Sequence, residues 1–289
     1  MPSPAELDKH TAPKPRYSFT NHIQRYTTCP RQFEYFQEYG FTPTQPSEVF
    51  AGLLVHQTLE RIHRLIRDGQ LSQLNEQRVQ KIIEQNFLAL RSKYTFSPNT
   101  DTKENASIYV FNYINNNYTD IQQRIEDTEL DFRLEREEYT LTGKIDLVMR
   151  GNNGLEIIDF KTRTRPENHE NALRYYKNQL YLYAEALEKR KQQPPSRLLL
   201  YWLAEERKEN ALMEVPFRRG DMQQIRLHFD EVVDKIKQRK FQVIQPPDEA
   251  ICKTCTRRYL CMRQKIIPSS CAETEQVHTL TPFLHKTVQ

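Results

Sequence analysis

Two aspartates and a lysine, Asp146, Asp159 and Lys161, flank a turn with the sequence GNNG at residues 151–154. This turn favours a hairpin with a two-residue loop, in which its two glycines pair with each other. Counting outward from that pair places Asp146 opposite Asp159, where the β-carbons of facing residues lie only ~5 Å apart. Like charges this close are destabilising, and a divalent cation bound between them would offset their repulsion.

The lysine completes a set of groups suited to phosphodiester hydrolysis. Lys161 lies two residues beyond Asp159, so it should project from the same face of the hairpin. Carboxylates would hold a metal that polarises a phosphate and lowers the pKa of water, and the ammonium group would orient that water. A plainer interpretation stays open, in which the face is exposed, forms surface ion pairs and is neutralised by Lys144. The opposite face would be apolar, with Ile145, Leu147, Met149, Ile158 and Phe160.

Three cysteines near the C-terminus have the spacing of metal ligands. Cys252, Cys255 and Cys261 form a C-x2-C-x5-C pattern, so their thiolates can converge on one centre, which still needs a fourth ligand. Cys29 lies far upstream, before a proline and an arginine. The total of five cysteines is odd and sparse, unlike a secreted disulfide scaffold, and Cys271 falls in a polar tail that we leave out of the set.

The elements that must position these groups follow an α/β order. The N-terminal half predicts helices that begin at Ser18 and Ser47 and continue at 71–90 and 106–125. Near residue 130 the pattern changes to strands at 134–139, 140–150 and 155–161. A helix at 167–190, strands at 197–203 and 212–215 and a helix at 220–239 complete a core with a mixed sheet.

Four short motifs occur in one order along the chain. They are Gly52-x-x-x-His56, Gly143-x-x-Asp146, Asp159-x-Lys161 and Gln179-x-x-x-Tyr183. Together they resemble the PD-(D/E)XK nuclease superfamily, specifically its RecB/AddB-like branch with an iron–sulfur cluster. The CRISPR-associated exonuclease of spacer acquisition is similar. The resemblance implies a restriction-endonuclease-like fold, in which helices flank a mixed central sheet.

The resemblance also implies roles for individual residues. His56, Asp146, Asp159 and the Phe160 carbonyl would ligate Mg²⁺ or Mn²⁺, and Lys161 would be the catalytic lysine. Gln179 and Tyr183 would line the site near DNA, although spacing alone makes them an ordinary helix surface. Spacing alone likewise makes His56 a partly buried helix residue, which Glu60 could orient, and makes His63 structural.

By the same resemblance, Cys29, Cys252, Cys255 and Cys261 would hold a 4Fe-4S cluster. Structural Zn²⁺ is the alternative, because four thiolates also suit zinc. Either metal would tie the N-terminal helical region to the C-terminus and add folding stability. The residues after Cys29 also agree with the resemblance, because the C-P-R-x-F pattern of that branch is present here.

Composition sets the class of protein. Lys and Arg total 42 against 38 for Asp and Glu, a net charge of +4, which permits a nucleic-acid partner without demanding one. We predict disordered tails at 1–15 and 269–289 around one nuclease domain, 16–268, with a helical part (16–128), a core (129–240) and a cluster-binding segment (241–268). Neither a signal peptide nor a membrane span is recognisable, so we expect a cytoplasmic protein.

These patterns predict a metal-dependent DNA nuclease, an exonuclease on single strands or DNA ends in repair, recombination or defence. A catalytically silent DNA-binding subunit of a helicase–nuclease complex and a zinc-stapled interaction protein are the alternatives. The sequence lacks a phosphate-binding loop, so any helicase would be a separate chain. DNA contacts, or merely solvated helix faces, are predicted at Lys161, Arg163, Arg165, Arg174, Tyr175, Tyr176 and Lys177, and at Arg257, Arg258, Arg263 and Lys265.

Overall fold

A computed structural model describes residues 14–41, 47–93, 100–121, 124–166, 170–244 and 249–263. The strands are β1 (Arg16–Ser18), β2 (Ile125–Glu135), β3 (Thr140–Gly151), β4 (Gly154–Lys161), β5 (Arg197–Trp202) and β6 (Leu212–Val215). The helices are α1 (Arg25–Thr28), α2 (Pro30–Phe33), α3 (Ser47–Arg67), α4 (Glu76–Lys93), α5 (Thr100–Ile121), α6 (Glu170–Lys191), α7 (Lys208–Ala211), α8 (Arg219–Lys237), α9 (Glu249–Thr254) and α10 (Arg258–Arg263). Short π-helical turns, Phe19–Gln24 and Glu34–Glu38, flank α1 and α2.

The six strands form one mixed sheet around β3. Strand β2 runs antiparallel to nearly the whole of β3, so it occupies one edge of that strand. The other edge is shared, because β1 pairs in parallel with residues 140–142 and β4 pairs antiparallel with residues 147–151. The sheet continues from β4 to β5 in parallel and to β6 antiparallel. Residues 143–146 of β3 therefore lie in a gap between β1 and β4.

Both faces of this sheet are buried. On β5, Leu198 and Leu200 pack into a core with α6 and α8, whereas Leu199 and Tyr201 pack into a second core with α3, α4 and α5. This alternation is that of a strand covered on both sides. The sequence had suggested one apolar and one polar hairpin face, and that prediction is wrong because α6 covers the face of Asp159 and Lys161.

Several predicted elements are confirmed, and the predicted strand at 134–139 is wrong. Strand β2 begins at Ile125 and ends at Glu135, and a turn closed by Arg136 and Tyr139 leads into β3. Charged residues in the first half of β2 obscure the apolar pattern by which this part of the strand could have been recognised in the sequence. Pairing along β3 outweighs that weak local preference.

The helix predictions hold with shifted bounds. Ser18 does cap the first turn, where its hydroxyl accepts a hydrogen bond from the Asn21 amide at 3.3 Å, although that turn is π-helical. The predicted helix 71–90 becomes a 3-10 turn, Leu71–Gln73, followed by α4, and the predicted helix 106–125 is α5. No described helix is both long and apolar enough to cross a membrane.

The predicted tail 269–289, with Cys271, lies outside the described residues, as do residues 1–13 of the first predicted tail and 264–268, with Lys265, of the predicted cluster-binding segment. The described end of the first tail lies against the sheet. The Lys14 ammonium donates to the Arg136 carbonyl at 2.7 Å, and the Pro15 carbonyl accepts from the Thr140 amide at 3.0 Å.

Candidate active site

The two aspartates lie where β3 and β4 separate. The predicted hairpin register is confirmed from the turn as far as Leu147 opposite Ile158, with Met149 opposite Glu156, but the predicted pairing of Asp146 with Asp159 does not form. Beyond Leu147 and Ile158 the ladder stops, and the Phe160 amide donates instead to the Asp146 carboxylate at 2.8 Å. A side chain thus takes the place of a backbone acceptor and is fixed in orientation by β4.

The alternation of β3 also breaks at this point. Ile145 packs into the core beside α6, while Leu147, two residues later, packs into the core beside α3. A regular strand would direct both to one face, as we had predicted. The break turns Asp146 towards α3, so that it can meet a group from that helix.

The second aspartate and the lysine form a buried pair that continues into α6. Asp159 is only 1% exposed, and its carboxylate lies 2.5 Å from the Lys161 ammonium. Lys161 also donates to the Gln179 side-chain oxygen at 3.0 Å, and the Gln179 amide donates to the Tyr183 hydroxyl at 2.7 Å. The structure therefore joins all four predicted residues through one ion pair and two hydrogen bonds.

An aromatic ring covers this lysine. The Lys161 ammonium lies 4.6 Å from the centre of the Tyr176 ring, a cation–π distance. Tyr176 packs edge-on against buried Trp202, and the Arg163 guanidinium reaches its hydroxyl at 3.4 Å. Sequence reasoning placed Tyr176 on a DNA-stacking surface, but here it packs over Lys161.

Helix α3 brings His56 to the other side of Asp146. The His56 Nδ1 atom lies 3.5 Å from the Asp146 carboxylate. Gly52, one turn earlier, lies beside Thr162, the residue after β4, and a β-carbon there would meet the Thr162 hydroxyl at 3.4 Å, an ordinary contact. Glu60, expected to orient His56, instead pairs with Arg64 at 2.5 Å.

The second histidine of α3 belongs to the core, as predicted. His63 is fully buried, stacks on the Phe160 ring at 5.8 Å and shares a 2.9 Å hydrogen bond with the Tyr113 hydroxyl. Burial lowers its pKa to about 3, so the imidazole is neutral. His63 thus packs against Phe160, the residue between Asp159 and Lys161 on β4.

Sequence reasoning missed a third acidic residue, Glu129 of β2. One donor atom each from His56, Glu129 and Asp146 lie within 4.8 Å of one another. Glu129 could have been found from its position opposite Asp146 in the β2–β3 register, but the predicted start of β2 was misplaced and concealed that position. Imidazole and carboxylate donors at such distances fit a divalent cation.

The backbone of β4 adds a further candidate donor. The Leu155 and Lys161 carbonyls accept from the Ser196 and Leu203 amides, which lie on either side of β5, so odd-numbered residues of β4 direct their backbone groups to that strand. Phe160 therefore directs its amide and its carbonyl to the other side, where the amide already bonds Asp146. The Phe160 carbonyl faces the acidic group, as a ligand would.

The buried carboxyl groups have divergent pKa values. Burial raises the pKa of Asp159 to about 6 against the opposing effect of Lys161. Burial likewise raises the pKa of Glu129 to about 7, with Asp146 adding to the shift. The pKa of Asp146 is lowered, because nearby His56 outweighs burial, and the Asp146 carboxylate raises the pKa of His56 to about 9 despite burial. Such separation is typical of catalytic centres.

The interpretation of an exposed ion-pair face is wrong. Asp159 is buried, and burial of a charged pair is costly enough to need a reason. Lys144, expected to neutralise the aspartates, lies 3.7 Å from Glu129 and 4.0 Å from Asp131.

The four cysteines also come together, between the N-terminal turns and the C-terminal helices. Cys252 and Cys261 are buried with Tyr35, whose hydroxyl lies 3.9 Å from the Cys261 sulfur. Burial raises the pKa of Cys29 and of Cys261, and Cys255 is close enough to raise both further. The Cys29 sulfur also caps α2, accepting from the Gln32 amide at 3.4 Å.

The predicted basic surfaces are only partly available. Arg163, Arg165 and Arg174 are exposed, whereas Lys177 is paired with Asp221 at 2.7 Å. In the second set, Arg257 stacks over Phe41 and Arg258 over Tyr259, both rings being exposed.

The glycine of the G-x-x-D motif serves the packing of the site. A β-carbon on Gly143 would lie 2.6 Å from the ring of Phe132, its neighbour on β2. Phe132 in turn packs edge-on against Tyr183, with the ring centres 5.7 Å apart. Gly143 therefore allows Phe132 to support the tyrosine that ends the Lys161–Gln179 chain.

Comparison with known proteins decides the family. The family model described as PD-(D/E)XK nuclease superfamily matches residues 18–262. The chain belongs to the PD-(D/E)XK nuclease superfamily. The crystal structure of a putative exonuclease from Eubacterium rectale is similar to this nuclease fold, with a TM-score of 0.54, 11% identity and coverage of 98% of this chain and 99% of that one.

A second crystal structure, of SSO0001, has 15% identity to this nuclease, a TM-score of 0.38 and coverage of 89% of this chain and 90% of that one. No curated protein matches the chain.

We predict that Gly143→Ala destabilises the nuclease by about 1–3 kcal/mol, since the Phe132 ring must move and press on Tyr183. Urea denaturation would measure the change, and Phe132→Leu in the same chain should restore part of it. The control is Gly220→Ala, where a β-carbon meets nothing within 4 Å. Equal stability of the two single variants would contradict the packing role.

Proposed function

We propose that this nuclease is a Mg²⁺- or Mn²⁺-dependent deoxyribonuclease that acts as an exonuclease on single strands or DNA ends. The observation that carries the proposal is the position of His56 and Asp146 beside the buried Lys161–Asp159 pair, in the gap between β1 and β4. Imidazole and carboxylate donors fit such a cation, and the ammonium group adjoins them.

His56, Asp146, Asp159 and the Phe160 carbonyl would hold the cation. When bound, it would polarise the scissile phosphate and lower the pKa of a water molecule. The Phe160 amide keeps the Asp146 carboxylate in one orientation, and α3 holds the imidazole against it.

Lys161 would orient the attacking water and offset the charge that develops on the phosphate. Gln179 accepts a hydrogen bond from Lys161, and Tyr183 fixes the amide of Gln179, so this chain sets the direction of the ammonium group. The Tyr176 ring covers one side of the Lys161 ammonium at a cation–π distance.

Exposed arginines next to the site support a nucleic-acid substrate. Arg163 and Arg165 follow β4 directly, and Arg174 lies on the first turns of α6. Guanidinium groups in this position can contact successive phosphates of a strand that passes Lys161. The name of the Eubacterium rectale protein, an exonuclease, supports the same class of reaction.

The four thiols support a 4Fe-4S cluster held by Cys29, Cys252, Cys255 and Cys261. Cys255 and Cys29 both lie close enough to Cys261 to interact with it electrostatically, and Cys252 and Cys261 are buried together with Tyr35. The cluster would join the N-terminal turns to α9 and α10 and add folding stability.

The nuclease proposal predicts that the protein degrades labelled single-stranded DNA only with Mg²⁺ or Mn²⁺. Lys161→Ala or Asp159→Ala should lower the rate at least about a hundredfold, because charge stabilisation at the phosphate is lost. Lys81→Ala removes an exposed lysine of α4 and should leave the rate unchanged. Substrates labelled at either the 5′ or the 3′ end would also show the polarity of digestion.

A different result would favour the silent-subunit alternative. If the wild-type protein binds single-stranded DNA tightly but cuts none with either metal, the chain is a DNA-binding subunit. Cleavage that survives Lys161→Ala would contradict the assigned site.

The cluster proposal predicts about four irons per chain and a brown protein that absorbs near ~400 nm. Cys261→Ser should lose iron and lower the melting temperature, because the cluster would no longer link the N-terminal turns to α9 and α10. Metal analysis that finds one zinc and no iron would contradict the cluster.

A further inference from the structure

Glu129 has a strained backbone directly opposite Asp146. The β2–β3 ladder pairs Thr128 with Leu147 and Leu130 with Ile145, and Glu129 faces Asp146 between these pairs. Its φ angle is +47°, in the left-handed region that non-glycine residues occupy only at a cost of about 1–2 kcal/mol. Strain of this kind persists where the surrounding structure maintains it, often at functional sites.

The ion pair with Lys144 does not account for the position of this carboxylate. Its cationic neighbour Lys144 is 51% exposed and 3.7 Å away, and it also lies 4.0 Å from Asp131. An exposed pair of this length contributes no more than about 1 kcal/mol. Meanwhile the Glu129 side chain is largely buried beside Asp146, where two carboxylates repel each other.

We propose that Glu129 is a further protein ligand for the divalent cation that His56, Asp146, Asp159 and the Phe160 carbonyl would hold. The inference rests on the proposed metal site, and it goes beyond the motif residues, none of which lies on β2. One donor atom each from Glu129, His56 and Asp146 lie within 4.8 Å of one another, and Asp159 is paired with Lys161. Cation ligands would thus come from α3, β2, β3 and β4, and the catalytic lysine also comes from β4.

The additional carboxylate has a consequence for metal choice. Imidazole alone suits softer ions such as Zn²⁺, whereas carboxylate oxygens suit Mg²⁺ and Mn²⁺. With Glu129, three carboxylates accompany the single imidazole of His56. Glu129 therefore shifts the site towards the hard cations that phosphodiester hydrolysis uses.

Calorimetric titration of the full chain with Mn²⁺ alone tests this role without any cleavage assay. Glu129→Gln should weaken Mn²⁺ binding by about 10- to 100-fold, the range expected when a ligand-sphere group is lost. The matched control is Asp131→Asn, which removes an equal charge two residues away on the same strand. Asp131 is 81% exposed and also near Lys144, so its loss should change the affinity less than about threefold.

A second variant separates ligation from folding. Glu129→Gly relieves the positive φ, so the metal-free protein should melt at the same or a higher temperature than the wild type. The rise in melting temperature that Mn²⁺ gives the wild type should be lost in this variant. A merely structural glutamate would instead give a lower metal-free melting temperature and an unchanged rise with Mn²⁺.

The outcomes separate this inference from the proposed function. Wild-type affinity for Mn²⁺ in Glu129→Gln, with DNA cleavage intact, overturns the role of Glu129 and leaves the nuclease. Failure of the wild-type protein to bind Mn²⁺ overturns both.

Discussion

The hydrogen bond from the Phe160 amide to the Asp146 carboxylate is the contact on which the site depends. It forms where the β3–β4 ladder ends, so an aspartate takes the place of a backbone acceptor. The same divergence directs the Phe160 carbonyl towards Asp146 and leaves space beside Asp159 for Lys161. A continuous ladder would pair these backbone groups with each other and close the gap that holds the functional side chains.

The two buried faces of the sheet supply the remaining groups from opposite directions. Helix α3 reaches the gap from one core with His56, and α6 reaches it from the other with Gln179 and Tyr183. Because both faces are packed, the carboxylates lie in surroundings of low polarity, where their interactions with cations are stronger than in water. Burial and mutual repulsion raise the pKa of Asp159, while its neighbours lower that of Asp146. The fold thus maintains a charge arrangement that a bound cation would stabilise.

Local signals predicted the hairpin well, and tertiary packing determined what they missed. The GNNG turn set the register as far as Leu147 and Ile158, one pair short of the two aspartates, and the family resemblance pointed to His56, Gln179 and Tyr183. Glu129 could not be found in the same way, because its position depends on pairing between β2 and β3 that charged residues concealed. Tyr176 was read as a free surface, since its contact with Lys161 requires α6 to cover the sheet. Membership of the PD-(D/E)XK superfamily agrees with the parts that local signals predicted.

The central claim is that Asp146 and His56 hold a divalent cation next to Lys161. Anomalous diffraction from crystals of the full chain soaked in Mn²⁺ tests it most directly. The account predicts one strong peak about 2.2 Å from both the His56 imidazole and the Asp146 carboxylate, a distance typical of nitrogen and oxygen ligands. A peak elsewhere, with His56 and Asp146 in contact only with each other, would contradict it.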